Sequence, residues 1–278
     1  MDMAGKRFVE HDPLQRLYVT SIQSENGDRF CQDVAQYLQL RLSIPTQFVN
    51  DIPWQDREQL LDTGQIHVGW ICGLPYVWKA DRERPSVELI AAPIMKHPRY
   101  RQRPIYFSDV IVHRDSKLRR FADLRGASWA YNEPHSQSGY NVTRYHLAQL
   151  GEMRGFFSRV VETGSHLKAL EMVLTQHIEA AAIDSTVLEL ELRTRPHLKA
   201  ELRVIESLGP SPIPPWVVSS HLSSDLQNAV RRAFWEIHDN PAGQAVLAQG
   251  LIKRMVRVED RDYDPIRDMA RTAAQVVW

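Results

Sequence analysis

Cysteine is scarce in this chain: 278 residues contain two, Cys31 and Cys72. Two thiols make no disulfide framework, and C-x-x-C zinc spacing is missing. The expectation is therefore two separate, partly buried thiols that behave as small hydrophobes. Charge of one sign is not in excess either, since 34 Lys and Arg balance 34 Asp and Glu. That balance speaks against a nucleic-acid partner, and any bound anion must be held by local geometry. Long apolar runs are absent too. The start, Met1-Asp2-Met3-Ala4-Gly5-Lys6-Arg7-Phe8, has no signal-peptide core, and no window reaches membrane-spanning length. As it stands the sequence reads as cytoplasmic, or as periplasmic if a leader has been removed.

Several catalytic patterns are missing as well. There is no phosphate loop of the G-x-x-x-x-G-K-S/T type and no G-x-S-x-G elbow. The 11 histidines are scattered without metal-ligand spacing, so neither metal nor cofactor is expected. Ser165, His166 and Asp184 can be drawn as a triad, but adjacent residues on a helix diverge in direction, which argues against it.

What the chain does contain is an alternation of short β-rich runs and helical patterns, the mark of α/β units. Leu17–Ser21, Thr46–Val49 and Ile66–Ile71 read as strands. Phe30, Val34 and Leu38 give one face of a helix. Tyr106–Val112 is the strongest strand, rich in aromatic and β-branched residues. A second α/β set follows: strands at Ser128–Tyr131, Val160-Val161 and Ala180–Ile183, with helices over Ser138–Leu150 and Ser165–Gln176. The run Gly209-Pro210-Ser211-Pro212-Ile213-Pro214-Pro215 cannot be helical, because four prolines fix φ and remove donors. Trp216–Ser219 resumes a strand, and Ser223 or Ser224 offers an N-cap to a helix carrying Leu226, Val230, Phe234 and Ile237. One α/β unit thus interrupts another. The expected architecture is two lobes, residues 1–112 with 213–278 and residues 113–212, hinged near 106–113 and 204–214.

Three stretches carry a resemblance: Tyr106–Val112 with Asp115-Ser116 and Phe121-Ala122-Asp123-Leu124-Arg125-Gly126; then Asn132-Glu133-Pro134-His135-Ser136-Gln137-Ser138-Gly139-Tyr140; then Gly164-Ser165-His166 and Ala182-Ile183-Asp184-Ser185. Together, over roughly residues 15–240, they resemble the substrate-binding subunits of phosphate, phosphite and phosphonate ABC transporters, which have the type II periplasmic-binding-protein fold. The resemblance implies a clamshell, each lobe a mixed sheet flanked by helices, closing on a small oxyanion. Helix starts expose unpaired amide donors and partial positive charge, which suits such a ligand. Ser136, Gln137 and Ser138 stand where one such helix begins, with Gly139 allowing close approach, and Ser165 and His166 begin another. By position, Trp70 and Tyr106 match cleft aromatics and Ser108 lies beside the hinge. Asp184, Ser185 and Thr186 fall where the family meets the ligand's other end.

The expectation is accordingly a receptor, not an enzyme, a monomer or weak dimer with a small anionic ligand and a membrane permease or sensor kinase as partner. A cytoplasmic ligand-sensing or scavenging protein of the same fold is the alternative. An enzyme on this scaffold would need Cys72 or His166 as its reactive group.

Overall fold

The computed structural model of the chain describes residues 14–278; the opening residues read above for a leader lie outside the described residues. The chain lays down β1 (Leu17–Ser21), β2 (Thr46–Val49), β3 (Val68–Trp70) and β4 (Val87–Met95) in one sheet. It crosses to build β5 (Ile105–His113), β6 (Ser128–Tyr131), β7 (Arg159–Glu162), β8 (Ala180–Asp184) and β9 (Leu202–Pro212) in a second, then returns to add β10 (Trp216–Ser219) and β11 (Ile252–Val256) to the first. The first sheet has the order β11-β4-β10-β3-β1-β2 and the second β7-β6-β8-β5-β9. Both are mixed: β1 runs parallel to β2 and β3 while β10 opposes β3 and β4, and β6 runs parallel to β7 and β8 while β5 opposes β8 and β9.

The helices are α1 (Asp28–Leu42), α2 (Trp54–Asp62), α3 (Gly73–Ala80), α4 (Val142–Gln149), α5 (His166–Leu174), α6 (Ser185–Thr194), α7 (Leu198–Glu201), α8 (Ser224–Trp235), α9 (Pro241–Gln249) and α10 (Asp264–Ala273). Local chemistry explains their starts. The hydroxyls of Ser165 and Ser223 accept the amides of Lys168 and Leu226, and Asn240 Oδ1 accepts that of Gly243, each satisfying a donor that a helix start leaves unpaired.

Aromatic and β-branched character put β5 at the interior of its sheet, with Val110, Ile111 and Val112 fully buried. The front of the proline-marked run, 209–212, forms the end of β9, an edge strand where missing amide donors cost little, and 213–215 lead on to β10. These two strands carry the chain between cores. Ile105 and Tyr106 belong to the core around Phe30, Trp70, Trp216 and Phe234, whereas Val110 and Val112 belong to the core around Phe121, Trp129, Phe156 and Phe157. On the return, Leu208 lies in the second core and Ile213 in the first.

The last segment, expected with the first lobe, spans both. Helix α10 packs against α3 on one side and α4 on the other. Beyond it, Arg144 donates to the Val276 carbonyl from Nε and Nη2 (3.1 and 2.7 Å), and Trp278 packs on Tyr131, Tyr140 and Phe157.

The lobes are closed on each other. Asn26 Nδ2 donates to the Val187 carbonyl and to Glu191 Oε2 (3.1 and 3.0 Å), and Arg193 reaches the carbonyls of Ala248 and Gln249 at the end of α9. On the opposite rim His135 of the second lobe sits edge-on to Trp54 and Trp78 of the first, with ring centroids 5.7 and 5.2 Å apart. Among the described residues no helix is long and apolar enough to cross a membrane, and no group of three His, Cys, Asp or Glu side chains is placed to hold a metal ion.

Candidate ligand-binding cleft

Between the lobes lies a cavity of about 100 Å³ lined by Gln23, Ser24, Glu25, Trp54, Arg57 and Cys72 from the first lobe. The second lobe contributes Asn132, Glu133, Ser136, Ser138, Gly164, Ser165, His166 and Asp184. The loop after β6 opens helix α4 with a single wide turn, Gln137–Asn141, in which the Asn141 amide donates to the Ser136 carbonyl five residues back (3.0 Å). Such a turn rotates successive side chains differently from an α-helical start. Ser136 and Ser138 face the cleft, and Gln137 between them faces away. The Gln137 side chain instead donates to Ser211 Oγ at 3.2 Å and accepts from Asn141 Nδ2 at 2.7 Å. Its backbone amide meets Cys72 Sγ across the lobes at 3.3 Å.

The two serines are already engaged. Ser136 Oγ accepts the Gly139 amide at 3.0 Å, while Ser138 Oγ pairs with His166 Nε2 at 2.9 Å. Gly139 itself is required by space, since a Cβ there would stand 2.0 Å from Asn132 Oδ1. Asp184 caps α6, its Oδ1 accepting both the amide and the hydroxyl of Thr186 at 2.7 Å.

Of the residues expected from sequence, Ser136, Ser138, Ser165, His166 and Asp184 line the cavity. Gln137, Ser108, Ser185, Tyr106 and Trp70 do not. Ser108 is buried in β5, its backbone paired with β8 and β9. Ser185 accepts the Phe107 amide and pairs with the Tyr100 hydroxyl, which ties the hinge instead of the ligand. Tyr106 lies beneath the cavity floor, 1% exposed, its hydroxyl buried beside Cys72, Asp184 and Ser138. Trp70 stacks on Trp216 at 5.7 Å, donates to the Pro214 carbonyl, and lines a smaller crevice next door with Phe30, Val187 and Leu190.

Sequence reasoning missed Arg57, Gln23, Ser24, Asn132 and Glu133 as cleft residues. Arg57 sits in the polar helix α2, whose composition reads as a solvated face; its Nη1 donates to the Ser21 carbonyl at 2.7 Å and its Nε is buried without a partner. Gln23 Nε2, Ser24 Oγ, Asn132 Oδ1 and Glu133 Oε2 are also buried and unpartnered. These five atoms come from both lobes and line one cavity. Buried polar groups are ordinarily paired, so their clustering points to a polar ligand.

Burial sets the protonation of the site. It lowers His166 to about 4, raises Asp184 to about 6 against the hydrogen bonds from Thr186, and raises Glu133 to about 7 with help from the neighbouring carboxylates Glu58 and Glu162. It also lifts the Cys72 thiol to about 11, so that group is a thiol at neutral pH. A histidine lowered from 6.5 to about 4 gives stability that is intact at pH 7 and is lost as pH falls, because the unfolded chain takes up the proton first. Thermal or urea melts should show a loss of about 1.2 kcal/mol at pH 5.5 relative to pH 7 from this group. In His166→Gln that increment should vanish. Identical pH profiles for the two proteins would contradict it.

Residues 17–263 match the family described as ABC transporter, phosphonate, periplasmic substrate-binding protein. The chain belongs to this family. Among solved structures it is similar to a binding protein component of an ABC phosphonate transporter from Pseudomonas aeruginosa, with TM-score 0.82 and 20% identity over 93% of this chain and 86% of that one. PhnD1 from Prochlorococcus marinus, solved in complex with methylphosphonate, matches with TM-score 0.82 and 18% identity over 94% and 99%. A Xanthomonas citri protein solved with ATP matches less closely, with TM-score 0.71 and 14% identity over 94% and 98%. The two-lobed type II architecture expected from the sequence is thus the architecture of the family, and members of this family are transporter substrate-binding proteins.

Proposed function

We propose that this chain captures a small phosphonate-type oxyanion, of methylphosphonate size, between its lobes and hands it to an ABC permease. The observation that carries this reading is the cluster of buried, unpartnered polar atoms divided between the lobes, in a cavity that Arg57 lines together with Ser136 and Ser138. A ligand that pairs with both sets favours the closed state by its differential affinity. The cavity of about 100 Å³ suits a ligand of a few heavy atoms and not a nucleotide. A receptor role, in preference to catalysis, is supported by the protonated Cys72 thiol, whose sulfur accepts an amide, and by the buried, neutral His166.

Calorimetry with methylphosphonate, phosphite, phosphate and sulfate tests the reading. Heat and a thermal shift with at least one phosphorus oxyanion are expected. Silence with all of them would sink the ligand class.

A further inference from the structure

The cleft poses an electrostatic problem. Its lining holds one cation, Arg57, against three carboxyl groups, Glu25, Glu133 and Asp184. Two of the three have defined local surroundings. Asp184 is committed as an acceptor, its Oδ1 held by the Thr186 amide and hydroxyl. Glu133 Oε2 is buried with no partner at all. An oxyanion placed beside it would meet a bare carboxylate unless that oxygen carried hydrogen.

The groups around Glu133 make ionisation harder still. From α2 come Glu58 and Arg57; from the end of β7 comes Glu162; Asp184 and the neutral His166 lie on the second-lobe side of the cavity. Glu58 is partly neutralised by Lys79 at 3.0 Å and lies 4.0 Å from His135 Nδ1, while Arg57 lies in the field of the Asp28, Asp51 and Glu25 carboxylates. Little positive charge is left over for Glu133.

We propose that the cleft binds its oxyanion together with one proton, held on Glu133, which turns that carboxyl from a repelling charge into a hydrogen-bond donor. This rests on the oxyanion reading above. Near neutral pH the empty site has Glu133 part ionised; the arriving anion raises its proton affinity further. The proton comes from solvent and stays on Oε2, and no bond of the ligand changes. Binding and protonation are linked, so affinity falls as pH rises above neutrality.

The experiment is calorimetry of the full chain with methylphosphonate at pH 8, in two buffers of different ionisation heat, which gives protons taken up per ligand bound. Methylphosphonate titrates on its own account, so the quantity that decides is wild type minus Glu133→Gln. The amide keeps a donor but cannot accept the proton. Wild type should take up about half to one proton more than the variant, and its Kd should rise roughly tenfold more between pH 6.5 and 8.5. Equal uptake and parallel Kd profiles overturn the proposal while leaving the oxyanion reading intact. Should Glu133→Gln be unfolded by circular dichroism, Glu133→Ala takes its place, with the same excess uptake expected of wild type. Should methylphosphonate be silent with wild type, the phosphorus oxyanion that does bind takes its place in the same comparison; silence with phosphite and phosphate as well overturns both readings together.

Discussion

Replacing Arg57 with glutamine should weaken methylphosphonate binding about a hundredfold, or 2–3 kcal/mol. Arg57 is the one cation among the described residues lining the cleft, and its Nε is buried without a partner. A charge-assisted hydrogen bond to an anion contributes more than a neutral one. Its loss also leaves the ligand facing carboxyl groups with nothing to offset them. Arg57→Lys is the instructive companion: it keeps the charge but loses the planar fork, so affinity should recover only in part. Because Nη1 also holds the Ser21 carbonyl, melting curves must be recorded alongside. A variant that melts normally and binds normally would take Arg57 out of the site.

The second large effect is expected from Ser136→Ala combined with Ser138→Ala, a loss of about 2–3 kcal/mol in binding if both hydroxyls serve a charged oxygen. The two positions do different work. Ser136 also caps the helix start through Gly139, so about 1 kcal/mol of helix stability goes with it. Ser138 is tied to His166, and its loss leaves a buried imidazole nitrogen unpaired. Gln137→Ala is the control. Its side chain points to Ser211 and Asn141, so it should lower stability while leaving affinity near wild type. An unchanged dissociation constant for the double variant, or a greatly raised one for Gln137→Ala, would reverse the assignment of this turn.

That turn shows where sequence reading succeeds and where it stops. Ser136-Gln137-Ser138-Gly139 is legible as a helix start because capping residues and glycine have local reasons to be there. Which of three consecutive side chains faces a ligand depends on a wide turn that no periodicity announces. Likewise the strong strand β5, and the non-helical character of the proline-marked run, were evident from residue chemistry alone, whereas the place of β9 at the sheet edge was not. Strand β4 was not: its run Val87-Glu88-Leu89-Ile90-Ala91-Ala92-Pro93-Ile94-Met95 mixes alanine and proline into a buried strand. Strand β11, with Lys253 and Arg254 exposed between buried Ile252 and Met255, carries too little apolar signal to stand out. Helix α3 hides behind Pro75, which is tolerated because it lies in the first turn. Arg57 and Glu133 became visible only when closure brought a polar helix of one lobe against a loop of the other. The last helix was not legible as a strap across both lobes, since its partners α3 and α4 lie far away in sequence.

The His135 contact has a practical consequence. Trp54 and Trp78 belong to one half of the molecule and the imidazole between them to the other, so any separation of the halves strips both indoles of the same neighbour at once. Two fluorophores thus sit on one jaw and the ring that shields them on the other. Emission from these tryptophans should shift to the red and become more accessible to iodide as the jaws part, giving a dye-free optical gauge of the molecule's motion in real time.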